Sequence, residues 1–337
     1  MTGSRPAHTA WQQWYRRPLV DLGATGGEQL QGIFSPLYEE TTVERYIQAQ
    51  FRADAQTYAE RYAAVEYFTA LLSDALGRIG WQGDRLAGKA ILDIGSGAGN
   101  SIFPLLRLCP DALVVASDLS LELLALLKRM LAEQGLDRRC GLLQLNAEEL
   151  DFAPESFDLV VGAAVLHHLF SPNLVIAGCG RILKPGGAAI FFEPFENGNA
   201  VLSLIQQMIL EQEDRREPLD PAVKAFLQAQ TADQALRRGR DKSSPLFARL
   251  DDKWLFTKSF LEELAAHAGF SECRIYPLHS PERQFANQIE VNLRLGLGRN
   301  RTALPQWAWS IIQRCDEHFS PDLKRDLLIE GAVLLKK

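Results

Sequence analysis

The fold of this chain is decided by the stretch ILDIGSGAGN at residues 91–100. An apolar strand reaches Asp93 and is followed at once by three glycines at alternate positions. Glycine adopts positive φ without steric cost and lets a ligand approach the backbone closely. The helix predicted to begin at Ser101 would present unpaired N–H groups to such a ligand. The stretch therefore predicts a strand–turn–helix site for a nucleotide-like molecule.

Strand-like and helix-like segments alternate around this turn. Apolar strands are predicted at 90–94, 112–117, 141–145, 157–162 and 187–193, with helices at 101–108, 121–133 and 173–183 between them. Near-continuous apolar strands joined by helices are typical of a parallel sheet that is covered on both faces. The sequence therefore predicts an α/β fold.

Further motifs follow the glycine turn in a fixed order. Asp118 ends the second predicted strand, 21 residues after Gly97, where an acid can accept both hydroxyls of a ribose. Asn146 and Ala147 follow the third strand, where a polar side chain can read an adenine amino group. The strand FDLVV leads to a histidine pair in the segment LHHL, and the turn LKPGG precedes the fifth strand.

This ordered set, from Lys89 to Glu193, resembles the class I S-adenosylmethionine-dependent methyltransferase family. A weaker similarity continues through residues 260–270, which look like the late helix of that family. The resemblance implies a Rossmann-like seven-stranded mixed sheet in the order 3-2-1-4-5-7-6, with strand 7 antiparallel and helices on both faces. It also implies S-adenosyl-L-methionine as the cofactor and S-adenosyl-L-homocysteine as the product.

The resemblance carries a cofactor site onto the matching positions of this sequence. These are Asp93, Gly95, Ser96, Gly97, Gly99, Asn100, Asp118, Leu119, Asn146, Ala147, Gly162 and Ala163. Asp93 and the glycine turn would hold the amino-acid end of the cofactor, and Asp118 would bind its ribose. Asn146 stands where the family often has Asp, so this position keeps an acceptor and loses the charge.

Candidate catalytic groups follow the fourth and fifth strands. His167 and His168 lie in the loop after strand 4, where an imidazole can act as a general base or orient the acceptor. The alternative is that they shape the loop and satisfy backbone carbonyls. Glu193 and Glu196 follow strand 5, at the strand end where open α/β sheets bind ligands. Glu193 is a catalytic candidate and Glu196 a substrate-binding one, and the alternative for each is a surface or capping acid.

Tyr58 and Tyr62 are substrate-binding candidates in a predicted helical segment at 42–76. They are one helical turn apart and share a face. A helix that precedes the first strand often covers the acceptor in the family that the motifs resemble, and aromatic faces suit a sulfonium cation. Ordinary packing of an amphipathic helix is the alternative interpretation.

Four segments are predicted along the chain. Residues 1–80 form an arm and a helical lid, residues 81–199 the cofactor-binding core, residues 200–255 a helical insertion, and residues 256–337 the completion of the sheet. The last segment contains a second helical insertion at about 280–325. The two insertions are predicted to cap the acceptor pocket or, alternatively, to form the interface of a homodimer.

Composition excludes several classes of function. The 337 residues contain 36 basic and 42 acidic side chains, a net charge of −6, which does not favour binding to nucleic acid. The segment after strand 4 also lacks the N/D-P-P-Y/F motif of nucleic-acid methylation. Five scattered cysteines form no C-x-x-C pair, so neither a metal site nor a disulfide framework is predicted. Without an apolar run of about 20 residues or a signal-peptide pattern, we expect a cytoplasmic protein that does not enter a membrane.

The sequence thus predicts methyl transfer to a small-molecule or carrier-bound acceptor in a biosynthetic pathway. O-, N- and C-methylation all stay open. The alternative is a protein of the same fold that binds the cofactor without methyl transfer, either a non-methylating enzyme such as a cyclase or a binding partner. A nicotinamide-dependent dehydrogenase is disfavoured because its G-x-G-x-x-G turn is absent.

Overall fold

A computed structural model describes residues 7–36, 55–61, 63–81, 86–212 and 217–337. Tyr62 and residues 42–54 of the predicted helical segment lie outside these ranges, and the side chain of Tyr58 is also outside the description. The remaining part of that segment contains two helices. Within the described part of the chain, every helix is too short or too polar to span a lipid bilayer.

The described residues contain nine β-strands in one sheet. The strands are β1 (Leu19–Asp21), β2 (Ile33–Pro36), β3 (Ala90–Ile94), β4 (Leu113–Asp118), β5 (Cys140–Gln144), β6 (Phe157–Ala163), β7 (Leu183–Pro194), β8 (Glu272–Pro277) and β9 (Glu330–Lys336). Every residue of β3 and β5 is buried, as expected for strands in the middle of a sheet with both faces covered.

The strand order confirms the predicted class of fold and the predicted order of seven strands. The sheet runs β1-β2-β5-β4-β3-β6-β7-β9-β8, in which β5 to β8 reproduce the order 3-2-1-4-5-7-6. Strands β3 to β7 pair in parallel. Strand β9 runs antiparallel to β7. Two hydrogen bonds show this direction: the Lys337 N–H donates to the Gly187 carbonyl, and further along β7 the Phe195 N–H donates to the Ile329 carbonyl.

The predicted number of strands is wrong, because the sheet has nine rather than seven. The two additional strands come from the predicted N-terminal arm, where β2 pairs in parallel with β5 and β1 pairs antiparallel with β2. Trp11, in the 3₁₀ helix Ala7–Trp14, is fully buried and lies over Gly141 of β5. The short strands and weak periodicity of this region concealed its pairing with the sheet edge.

Helices connect and flank the strands. They are α1 (Gly23–Gly26), α2 (Ala55–Arg61), α3 (Val65–Arg78), α4 (Ile102–Leu108), α5 (Leu121–Glu133), α6 (Pro172–Ile182), α7 (Glu196–Glu211), α8 (Pro221–Arg237), α9 (Lys258–His267), α10 (Gln284–Leu297), α11 (Gln306–His318) and α12 (Pro321–Asp326). Their starts follow local chemistry, since the Ser120 hydroxyl accepts the Leu123 N–H and caps α5, while Asp220 caps α8 ahead of Pro221.

The chain divides into two compact units. The first contains residues 1–192, 262–274 and 333–337, and thus the central strands with their helices. The second contains residues 193–261 and 275–332, so both predicted helical insertions, 200–255 and about 280–325, fall in one unit. Its core is a cluster of buried apolar side chains from α7, α8, α10 and α11. Buried Asp316 of α11 accepts the N–H groups of Phe285 and Ala286, and so fixes the start of α10.

Candidate cofactor and active site

The turn after β3 uses its three glycines in different ways. Gly95, Gly97 and Gly99 all have positive φ, at 67°, 51° and 99°. A Cβ on Gly95 would lie 2.6 Å from a methyl of Val165, and one on Gly99 would lie 2.7 Å from the ring of Phe103. A Cβ on Gly97 would meet nothing within 4 Å. The backbone at Gly97 therefore faces open space, which fits a ligand that approaches it closely.

Asp93 lies beneath the turn and is completely buried. Its Oδ2 accepts the Ser101 hydroxyl at 2.9 Å, and its main-chain carbonyl accepts the Ser117 hydroxyl at 2.9 Å. Its Oδ1 has no hydrogen-bond partner. Burial raises the pKa of Asp93 to about 7, the charge of Asp118 adds to this, and serine hydroxyls oppose it. The carboxyl group thus anchors the turn and keeps an unused acceptor.

Asp118 lies directly against the glycine turn. Its Oδ2 accepts the Gly97 N–H at 2.8 Å and its Oδ1 accepts the Ser120 N–H at 2.8 Å. Burial raises the pKa of Asp118, while the Ser120 and Gly97 N–H groups and the nearby His168 act in the opposite direction. Each carboxylate oxygen has a second lone pair for a further donor. The half-buried acid is therefore held in place while it can still accept two hydroxyls.

Asn100 has a structural contact in addition to its predicted role. Its Oδ1 accepts the Ala64 N–H at 3.0 Å, just before helix α3 begins. The Ser96 N–H, one turn earlier, donates to the carbonyl of Ser117 at 2.9 Å. The glycine turn is thus tied both to β4 and to the segment that leads into α3.

The ends of β4 and β5 are joined by polar contacts. The Gln144 amide donates to the Leu119 carbonyl at 3.3 Å, and the Asn146 Oδ1 accepts the Glu148 N–H at 3.0 Å. Ala147 between them is buried. Leu119, Asn146 and Ala147 therefore lie on two loops that are held together at the carboxyl end of the sheet.

Gly162 and Ala163 end strand β6. A Cβ on Gly162 would lie 2.6 Å from the Phe191 ring and 2.7 Å from a Val165 methyl, so a side chain does not fit there. Ala163 is half-buried and pairs with Phe192 of β7. Gly162 thus permits close packing, and Ala163 is the more accessible of the two at the strand tip.

The two histidines lie side by side in the short 3₁₀ helix Leu166–His168, and their rings are in contact. Their ring centroids are 4.0 Å apart with the planes tilted by 41°. His167 is buried, whereas His168 is half-buried and interacts electrostatically with Asp118. The structure therefore brings His168, the glycine turn and Asp118 together within the first unit.

Glu193 and Glu196 belong to the second unit. Glu193 is almost fully buried near the end of β7, and Glu196 is half-buried at the start of α7, where its N–H donates to the carbonyl of Phe256. Tyr58 lies in α2, and its partner Tyr62 falls outside the described residues. The predicted roles of Glu193, Glu196, Tyr58 and Tyr62 toward the methyl acceptor therefore stay predictions.

Sequence reasoning missed four residues that shape this site. Ser101 and Ser117 bond Asp93, Gln144 bonds the loop of Leu119, and Val165 packs against the glycine turn. The signals were weak. Two serines and one glutamine interrupt apolar strands or begin a helix at the carboxyl edge, which is where open sheets bind ligands.

Comparisons with known proteins agree with this geometry. Residues 92–191 match the model of a methyltransferase domain family. A ubiquinone biosynthesis O-methyltransferase of Nitrosococcus oceani is 37% identical over 107 residues, which are 32% of this chain and 44% of that protein. A ubiquinone/menaquinone biosynthesis C-methyltransferase of a Marinomonas species is 27% identical over 161 residues, or 46% of this chain and 64% of that one. The chain thus spans roughly half the length of these relatives.

A solved structure extends the likeness in fold. Phosphoethanolamine N-methyltransferase 2 of Haemonchus contortus, in complex with phosphomonomethylethanolamine and S-adenosylhomocysteine, aligns with a TM-score of 0.55. The alignment covers 96% of this chain and 68% of that chain at 16% identity. Strand order, glycine turn and domain match together define a methyltransferase fold. Residues 92–191 therefore form a domain of the class I S-adenosylmethionine-dependent methyltransferase family.

Proposed function

We propose that this protein transfers a methyl group from S-adenosyl-L-methionine to a small-molecule acceptor. The observation that carries the proposal is the cradle made by Gly97 and Asp118. It combines an open glycine backbone with a fixed carboxylate that still has lone pairs for ribose hydroxyls. The unpartnered Oδ1 of buried Asp93 adds an acceptor beneath the same turn.

The residues of this chain would hold the cofactor and align the acceptor. The cofactor would supply a methyl group on a positively charged sulfur: an electron pair of the acceptor would form the new bond to the methyl carbon, the carbon–sulfur pair would return to sulfur, and S-adenosyl-L-homocysteine and any acceptor proton would be released. Alignment of the two reactants can contribute about 7–11 kcal/mol. An acceptor that carries a proton at neutral pH would need a base, and we assign that role to His168, whose ring is in contact with that of His167.

The acceptor is proposed at the level of a class only. The curated relatives include both an O- and a C-methyltransferase, and the chain shares about one half of their length. Glu193, Glu196, Tyr58 and Tyr62 are proposed as acceptor-side residues on their positions in the sequence. Carrier-bound acceptors and a homodimer through the helical insertions belong to the same proposal.

Two measurements test the function. Calorimetry should show binding of S-adenosyl-L-methionine to the purified protein, and addition of cell extract should then yield S-adenosyl-L-homocysteine. Binding that persists with every extract but never gives that product would favour a non-methylating member of the fold. Absence of binding would overturn the proposal.

The role of His168 has its own test on the acceptor that such an assay identifies. His168→Gln should lower kcat by about 10²–10⁴-fold for a hydroxyl acceptor, because general-base catalysis contributes that much. Exposed His267→Gln is the matched control. Normal turnover by His168→Gln would remove the base role.

A further inference from the structure

The segment between strand β6 and helix α6 carries both histidines, and we call residues 164–171 the histidine loop. Its middle is a single 3₁₀ turn, in which the His168 N–H donates to the Val165 carbonyl at 3.1 Å. His168 is half-buried and lies close enough to Asp118 to interact with its charge. The path of the histidine loop therefore determines where the imidazole of His168 lies beside the cofactor site.

The histidine loop begins at Ala164 in a conformation that alanine disfavours. The φ of Ala164 is 59°, in the left-handed region, where the Cβ of an L-residue approaches the following carbonyl oxygen. The residue is exposed, so burial of its methyl group does not offset this strain. Its N–H donates to the carbonyl of Phe192 on β7 at 3.0 Å, which holds the backbone in place. Glycine would adopt the same conformation without strain, yet the chain has alanine here.

Two further contacts tie the histidine loop to predicted parts of the cofactor site. Near its start, buried Val165 packs so tightly against Gly95 and Gly162 that neither position has room for a Cβ. At its end, the Ser171 N–H donates to the Oε1 of Glu148 at 2.8 Å, just before α6 begins. The loop is therefore fixed at both ends by groups of the first unit.

Glu148 joins two loops through different parts of the residue. Its main-chain N–H donates to the Asn146 Oδ1 at 3.0 Å, within the loop after β5. Its carboxylate reaches Ser171, 23 residues further along the chain, at the start of α6, where the helix dipole also favours a negative charge. Removal of the side chain would therefore release the end of the histidine loop and leave the loop after β5 closed.

Strain at a non-glycine residue persists only where the surrounding structure enforces it, and such residues cluster at active sites. A general base must stay within hydrogen-bond reach of the proton that it removes, and a misplacement of about 1 Å can cost about 100-fold in rate. We propose that Ala164 and Glu148 are positioning residues that hold the two ends of the histidine loop and so keep His168 in one place beside the cofactor site. This inference rests on the proposed function, in which His168 is the base, and adds two residues that act through it.

The first test needs no methyl acceptor. Ala164→Gly should leave the Tm unchanged or raise it by about 1–3 °C, because relief of the strain opposes the added freedom of the unfolded chain. The imidazole NMR signal of His168, identified by its loss in His168→Gln, should shift or broaden in Ala164→Gly and in Glu148→Ala. Exposed Ala87→Gly and Glu133→Ala are the matched controls and should leave that signal unchanged. A clear fall of the Tm in Ala164→Gly, or an unchanged His168 signal in both loop variants, would overturn the proposal.

The second test is kinetic and uses the acceptor that the extract assay identifies. Ala164→Gly and Glu148→Ala should lower kcat by about 10- to 100-fold, while KM and the affinity for S-adenosyl-L-methionine stay close to the wild-type values. Glu148→Gln keeps an oxygen that can accept the Ser171 N–H and should restore most of kcat. In the His168→Gln background, Ala164→Gly should cause little further loss of kcat, because residues that act through one group are not additive.

The outcomes separate this inference from the proposed function. Normal kcat in both loop variants, a defect confined to KM, or full additivity with His168→Gln would overturn the inference while leaving methyl transfer intact. Normal turnover by His168→Gln would remove the base role, and the inference would fail with it although methyl transfer would stand. Absence of cofactor binding by the wild-type protein would overturn the proposed function, and the inference with it.

Discussion

The Gly97 N–H donates to the Asp118 Oδ2 over 2.8 Å, although 21 residues separate the two in the chain. The contact exists because β3 and β4 are parallel neighbours and end at the same edge of the sheet. It fixes the carboxylate beside the one glycine of the turn that faces open space. A fixed carboxylate and an open backbone form one binding surface.

Asp118→Asn should weaken binding of S-adenosyl-L-methionine by about 10- to 100-fold. The change removes the charge and sets an amide N–H against a backbone N–H, and a hydrogen bond to a charged group contributes about 1.5–3 kcal/mol. Calorimetry near pH 7 measures the change. Exposed Asp111→Asn, seven residues earlier, should bind normally. Equal affinities in the two folded variants would exclude Asp118 from the site.

Alanine substitutions at Gly97 and Gly99 should have different effects, the first mainly on cofactor binding and the second mainly on the stability of the fold. Gly97→Ala costs about 1–2 kcal/mol for its positive φ, and its methyl group would project into the open space. We expect a folded protein with at least tenfold weaker cofactor binding. Gly99→Ala adds a collision with the rings and methyls of Phe103 and Leu127, so it should lose much more stability. Denaturation and calorimetry on both variants check this order, and tight binding by Gly97→Ala would contradict it.

Asp93 should make stability depend on pH. Its pKa of about 7 lies above the ordinary value of 3.8, so the folded protein holds this proton more tightly than the unfolded chain. The stabilisation is complete below about pH 4 and is lost as pH rises through 7. The Tm of the ligand-free protein should therefore fall between about pH 5 and pH 7 and level off above pH 8, and Asp93→Asn should flatten that fall. Exposed Asp137→Asn should retain the wild-type slope, and an identical slope in Asp93→Asn would reject the assignment.

Much of the core could be predicted because its sequence signals are local. Apolar runs bounded by glycine, such as 90–94 before the turn, define strands, and the strand order follows from the family that the motifs resemble. Contacts that depend on tertiary neighbours could not be read in this way. Ser117 bonding to the Asp93 carbonyl and Gln144 bonding to Leu119 need the register of adjacent strands, which no single segment encodes.

The N-terminal strands β1 and β2 also could not be predicted from the sequence. Residues 19–21 and 33–36 are too short to show the alternation that identifies a strand. Residues 33–36 become a strand because β5 supplies hydrogen bonds to them, and residues 19–21 then pair with that new strand. Trp11 packs against Gly141 of β5.

Gly141 and Trp11 provide the sharpest test of how the N-terminal segment joins the sheet. A Cβ on Gly141 would lie 2.1 Å from the indole Nε1 of Trp11, so Gly141→Ala should destabilise the protein by about 1–3 kcal/mol through overpacking. Trp11→Phe removes the indole nitrogen and should relieve the collision, while the T-shaped contact with Phe34 can persist with the smaller ring. We measure the free energy of unfolding by chemical denaturation. The loss of this free energy in the double variant should be smaller than the summed losses of the two single variants, by about 0.5–1 kcal/mol or more. Strict additivity would mean that the two residues do not touch in solution, and that the N-terminal strands join β5 by another contact.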